Sequence, residues 1–440
     1  MTTTTQSVSH LTTKRLIVLF LSFQLAFFIL YTLINYLLFN EGFIHPYLIF
    51  FGEKALLVLK GTPPRLENIG FIYPPLPVFA AGLFQGNALL AQSFVASLIS
   101  AYIVVELIRG MQSFRAAFPL IVYMIFSLPI LFLSTQRFDL YLYFFLLILS
   151  MKFLYLYRKN EYSLYLFLSA PLFGMTFFTH FSSIYLIPMF FIIILLLYKM
   201  NLKKIIAVSL VFITPYLIFM GIFSYINWVF TSEAFGFLRA YRLMFSNQSM
   251  DAIISAGSII GSLGYMLKYI FYISPVIAPC LLGMYYDRKL VAIVPFIIIY
   301  SFVYSNLFFP AVYASAIFII QFLVMTEFRE KLKTRLVWAA LLISLISSPF
   351  YALTSKELLE KDFTTALFGK FERNIEIYRR VANIMKDKEG KILLDDASGY
   401  QLVYLSGKPE RFILPYQYEF TPALSNPALF VNYVVALQSV

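Results

Sequence analysis

The chain has 440 residues, of which 60% are hydrophobic, 19% aromatic and only 13% charged. That apolar content exceeds what one or two soluble cores bury, which excludes a soluble globule and leaves a polytopic membrane protein. The net charge of +12 is spread as Lys and Arg punctuating apolar runs, not gathered on one patch, which argues for membrane orientation and against a nucleic-acid partner.

The first apolar run, residues 16–39, follows Lys14 and Arg15. It is too long for a cleaved leader and no small-x-small site follows it, so it reads as a retained span. Ten more runs are long enough to cross about 30 Å of hydrocarbon. They lie near 88–108, 116–134, 138–157, 163–179, 183–198, 205–228, 269–286, 290–308, 310–326 and 335–353. With a cytosolic N-terminus, the inner segments collect fifteen Lys and Arg, from Lys14 to Arg335, and the short outer loops only Arg137. This is the bias of the positive-inside rule, and an odd number of spans then puts the C-terminus outside. The single cysteine, Cys280, has no partner for a disulfide and reads as a small buried hydrophobe.

Two outer loops are long, 40–87 and 228–268. Pro63, Pro64, Pro74, Pro75 and Pro77 break the first, while Pro46 predicts a short amphipathic helix reaching Lys60 along the membrane interface. Residues 73–84 and 252–267 read as interfacial or re-entrant pieces, or as further spans. Beyond Leu353 the composition shifts: 371–388 has helical spacing, and 391–395, 411–414 and 431–436 read as strands. The expected fold class is an all-α polytopic membrane protein of about eleven transmembrane helices over 1–354, with a small extracytoplasmic α/β domain over 355–440. The plasma membrane is its expected location.

No P-loop, GxGxxG, HExxH or GxSxG is present. The informative residues are polar groups at the outer face. In the first loop these are Glu41, His45, Glu53 and Glu67 beside Lys54, Lys60 and Arg65. His45 falls at the N-cap of the helix opened by Pro46, where the helix dipole disfavours a protonated ring; it either accepts a proton there or only caps. Glu53 is a second candidate or a solvated partner of Lys54 or Lys60. Arg137 and Asp139 flank the start of the fourth span, as site residues or as a local ion pair. His180, in a tight outer turn, is a phosphate ligand or is bonded to the turn. Arg239 and Arg242 share a helical face and suit a phosphate or lipid headgroups. Asp395 and Asp396 read as caps of a following helix, and Asn247 opens a sequon.

His45-Pro46-Tyr47, Gly61-Thr62-Pro63-Pro64, Tyr73-Pro74-Pro75-Leu76, Arg137 with Asp139, and a tail holding Leu394-Asp395-Asp396, Gly407-Lys408-Pro409 and Phe412-Ile413-Leu414-Pro415 together resemble the GT-C membrane glycosyltransferases. Protein O-mannosyltransferases and aminoarabinose transferases belong to that superfamily. The resemblance covers most of the chain in layout, through short motifs. It implies a sugar moved from a polyprenyl- or dolichyl-phosphate donor to a glycan, lipid or protein acceptor on the extracytoplasmic face. It implies a first-loop catalytic base, at His45 where the family carries an acidic residue, or at Glu41 or Glu53. It implies a second acidic position at Asp139, which in some members helps to position a divalent metal or the acceptor. It places donor-phosphate contacts at Arg137, His180, Arg239, Arg242 and Arg65, with His180 standing where many members carry Lys. The departure at His45 keeps a second reading open, a non-catalytic assembly subunit of the same fold. A lipid or solute transporter is a third; it calls for mid-membrane ion pairs and internal repeats, whereas the polar residues here gather near the span ends and no convincing repeat is seen.

Overall fold

The computed structural model describes, with a few single gaps, residues 13–110, 118–197, 202–238, 358–369 and 375–436, and scattered positions in 339–353. The expected spans at 269–286, 290–308 and 310–326, Cys280, the sequon and the segment with Arg239 and Arg242 lie outside the described residues, as does most of 335–353. The described chain is mostly helical with a small parallel sheet.

Four described helices are long and apolar enough to cross a membrane. The first, α1 (Thr13–Asn40), packs along α4 (Ala88–Gly110). Its other face is bare, with Leu21, Leu25 and Leu37 each more than half exposed, an apolar surface compatible with contact to hydrocarbon. Where α1 meets its neighbours the contacts turn polar. The Tyr31 hydroxyl bonds Ser100 Oγ at 2.8 Å, and Ser100 Oγ bonds the Tyr141 hydroxyl at 2.9 Å. Hydrogen bonds of this kind hold apolar helices together where burial alone gives no preference for helix over lipid.

Between α1 and α4 the chain forms α2 (Pro46–Lys60), a short 3₁₀ turn (Leu66–Ile69) and α3 (Pro75–Leu83). Both α-helices begin at a proline, whose missing N–H is no loss in a first turn. Helix α2 was expected to lie along the membrane surface with one wet face, yet Tyr47 to Leu57 are all buried. The reason is the tail, which covers it.

Next come α5 (Leu128–Gln136) and α6 (Phe138–Asn160). The sequence suggested a short loop here, but the break is one residue: Arg137 leaves helical geometry at φ −136°, ψ 59°, and α6 resumes at once. Helix α7 (Ser163–Met175) ends in two 3₁₀ turns around His180, leading to α8 (Leu186–Leu197) and α9 (Leu202–Thr231). Helices α7 and α9 pack closely; a Cβ on Gly174 would lie 2.7 Å from the Phe219 ring.

In the tail, α10 (Leu358–Leu367) and α11 (Ile375–Lys386) precede strand β1 (Ile392–Leu394), helix α12 (Asp396–Ser406), β2 (Phe412–Ile413) and β3 (Tyr433–Val435). The three strands form a parallel sheet in the order β2-β1-β3, with Ile392 opposite both Phe412 and Tyr433. The central strand β1 and its neighbour β2 are buried, and only β3 is partly exposed. All three strands fall inside the segments expected from the sequence. The tail packs on the first loop: Leu57 of α2 sits in one core with Ile392, Leu402 and Phe412.

Candidate functional site

The first cluster is built where α2 begins. His45 is its N-cap, as expected, and its Nδ1 accepts the Tyr47 N–H at 3.2 Å. The backbone N–H of His45 donates to Gln136 Oε1 at 2.9 Å. Gln136 Nε2 in turn donates to Asn35 Oδ1 at 3.1 Å, and Asn35 Nδ2 to Ser93 Oγ at 2.9 Å. These buried amides tie α1, α4 and α5 to the start of α2, and each satisfies the next, as buried polar groups must.

Beside it, Arg137 forks onto Asp139. Nε donates to Oδ1 and Nη2 to Oδ2, both at 3.0 Å. The Tyr73 hydroxyl donates to the same Oδ2 at 2.7 Å, and the guanidinium lies 4.2 Å from the centre of the Tyr47 ring. Tyr73 is carried there by the Pro74-Pro75 turn ahead of α3 and packs on Phe51 at 4.8 Å. His180 closes the group from the 3₁₀ turns, its ring 5.8 Å from that of Tyr143; the charges of Asp139 and Arg137 both act on it.

The structure therefore brings together His45, Arg137, Asp139 and His180. Burial lowers the His45 pKa well below the usual imidazole value, Arg137 lowers it further, and Asp139 opposes them. Burial likewise lowers His180 to about 3, against Asp139 and with Arg137. Both rings are neutral near pH 7, so neither brings a positive charge to the group. Of the two readings of His45, the capping one fits the geometry. Its Nδ1 already accepts a hydrogen bond, which puts the neutral ring's proton on Nε2. That buried Nε2–H has no partner among the described residues; it is a donor awaiting an acceptor.

Glu53 belongs to a second cluster, two turns along α2. It is fully buried, not solvated, with Lys54 Nζ 3.4 Å from Oε2. The same ammonium lies 2.5 Å from Asp396 Oδ2 at the start of α12. Burial raises Glu53 to about 8, with Lys54 opposing and Asp396 reinforcing the rise, so this carboxyl holds its proton more tightly than a solvated one. Asp396 does open the helix it was expected to cap, but its carboxylate faces Lys54.

Two expected site residues stand apart. Glu41 is exposed just past α1. Arg65 is partly exposed, paired to Glu67 at 2.6 Å and 5.3 Å from the Tyr418 ring of the tail. For the metal suggested at Asp139, the described residues contain no group of three His, Cys, Asp or Glu suited to hold one. Both Asp139 oxygens are already engaged. Sequence reasoning passed over Asn35, Gln136 and Tyr73 as site residues. A lone Asn in an apolar run was the available signal, because an amide inside a span is costly unless it is paired.

No family model, curated protein or solved structure matches this chain. The site's own geometry must carry the functional reading.

Proposed function

We propose that this protein is a membrane glycosyltransferase that moves a sugar from a polyprenyl-phosphate donor to an acceptor hydroxyl at the extracytoplasmic face. The observation that carries it is the unsatisfied Nε2–H of His45 beside the Arg137–Asp139 fork, a donor pair and a carboxylate side by side. In this reading the acceptor hydroxyl takes the place of the Tyr73 hydroxyl on Asp139. Asp139 takes its proton as the new bond forms at the anomeric carbon, in an oxocarbenium-like transition state. The bond to the donor phosphate breaks, and Arg137 with the His45 Nε2–H stabilises the charge growing on the leaving phosphate. General-base help of this kind is worth about 10²–10⁴ in rate. The reading carries with it eleven spans in the plasma membrane, a cytosolic N-terminus and a tail folded as an extracytoplasmic α/β domain. The four long apolar helices and the parallel sheet support it.

The test is transfer by purified protein in lipid nanodiscs supplied with polyprenyl-phosphate sugars. Asp139→Asn should lower kcat by about 10²–10⁴ and His45→Ala by less. Wild-type protein inactive on every donor and acceptor would reject the reading. One feature favours a second reading, the non-catalytic assembly subunit: His45 is 1% and Asp139 0% exposed, which suits a structural pin. In that case Asp139→Asn lowers the unfolding temperature and partner retention, with no activity to lose.

A further inference from the structure

An apolar groove lies between α2, α3, α4 and α6 and takes no part in the proposed chemistry. It measures about 630 Å³, within the roughly 300–1,000 Å³ typical of ligand pockets. Val58, Leu59, Phe79, Leu83, Ile99 and Phe145 form much of its wall, and no ionisable or hydroxyl side chain contributes. Water finds no hydrogen-bonding partners in such a space. Two of its walls belong to helices long and apolar enough to span a membrane, and Leu83 at its edge is 85% exposed. The matching occupant is hydrocarbon.

A charge that follows the groove wall in sequence narrows the choice. Lys60 ends α2 directly after Leu59, is exposed, and has no ion-pair partner among the described residues. An anionic headgroup would complete it. The 15 residues of α2 separate Lys60 from His45 by roughly 22 Å at about 1.5 Å per residue. A phosphate held at Lys60 is therefore out of reach of the Arg137–Asp139 fork, which distinguishes this occupant from a sugar donor.

We propose that the groove binds one acyl chain of an anionic glycerophospholipid whose headgroup pairs with Lys60. This goes beyond the transferase reading and stands without it. The test uses the full chain in vesicles of phosphatidylglycerol and phosphatidylcholine doped with diazirine-tagged phosphatidylglycerol. A Cβ built on Gly82, which lines the groove, meets nothing within 4 Å, so Gly82→Trp fills the space without displacing the fold. Gly221 of α9 is equally open and makes Gly221→Trp the control. Photolabelling of α3 and α4 peptides should fall at least about fivefold in G82W and stay unchanged in G221W. Lys60→Gln should keep the labelling but erase the preference for phosphatidylglycerol over phosphatidylcholine. Equal labelling of G82W and wild type would overturn the proposal. So would displacement by polyprenyl phosphate at lower concentration than phosphatidylglycerol, since the groove would then belong to the donor. Neither result depends on transfer activity.

Discussion

Helix α2 carries two buried charge clusters that solve the same problem in different ways. At its start, Arg137 and Asp139 lie two residues apart and neutralise each other in a fork, leaving one N–H of His45 unused. At its middle, two carboxyls share one ammonium, and one of them comes from 342 residues along the chain. The first arrangement balances its charge locally and keeps a donor for something else. The second balances only if Glu53 holds its proton, and its use is to fasten the tail on the loop. Burial alone thus does not mark a site, and neither does an unspent polar atom, since the Glu53 carboxyl oxygens also lack a hydrogen-bond partner; what differs is the kind of group left over, a donor at His45 and a carboxyl at Glu53.

The sharpest way to break this contrast is to remove the shared cation. Lys54→Met leaves Asp396 buried and unpaired and should cost about 3–5 kcal/mol, read by thermal unfolding in detergent. Adding Asp396→Leu should recover most of it, because an apolar pair of similar volume often matches a buried ion pair. A single variant as stable as wild type would show that the tail does not depend on this cluster.

pH separates the two clusters next. Glu53 is raised from 4.5 to about 8 in the folded protein, so folded protein binds the extra proton between those values. Its stabilisation is complete below pH 4.5 and is lost as pH rises through about 8, with a slope of at most about 1.4 kcal/mol per pH unit. Glu53→Gln should flatten that alkaline limb in unfolding measurements. His180 acts in the opposite direction. Lowered from 6.5 to about 3, it withdraws stability as pH falls from 6.5 toward 3, and His180→Phe should reduce that acid limb.

Smaller effects sharpen the comparison. Tyr73→Phe removes a hydrogen bond to the Asp139 carboxylate and should cost about 1.5–3 kcal/mol while leaving the tail's protease resistance intact. Gly52→Ala should do the reverse. Its Cβ would lie 2.3 Å from the Tyr404 ring of α12, so tail docking should loosen at a cost of about 1–3 kcal/mol, seen as faster proteolysis beyond residue 369.

Much of the scaffold was legible because it is written in local pattern. Pro46 after His45 announces a capped helix, and Ile392 to Leu394 between Gly390 and an acidic pair announces a buried strand. The corner at Arg137 was legible as a place but not as a shape, since nothing in Gln136-Arg137-Phe138 says that one residue suffices to turn the chain. The identity of Arg137 and Asp139 as partners was a stated possibility; Tyr73 as the third member was not, because 66 residues intervene.

What the sequence alone determined is whatever depends on runs of neighbours: the long apolar helices, the helix starts and the three short strands. Only the tertiary structure decided the proton states and partners. Whether Glu53 is solvated or sealed, whether Lys54 faces water or Asp396, and which nitrogen of His45 carries its hydrogen depend on what distant segments lay over them. Desolvation and hydrogen bonding act through space, and the order of residues along the chain does not record those distances.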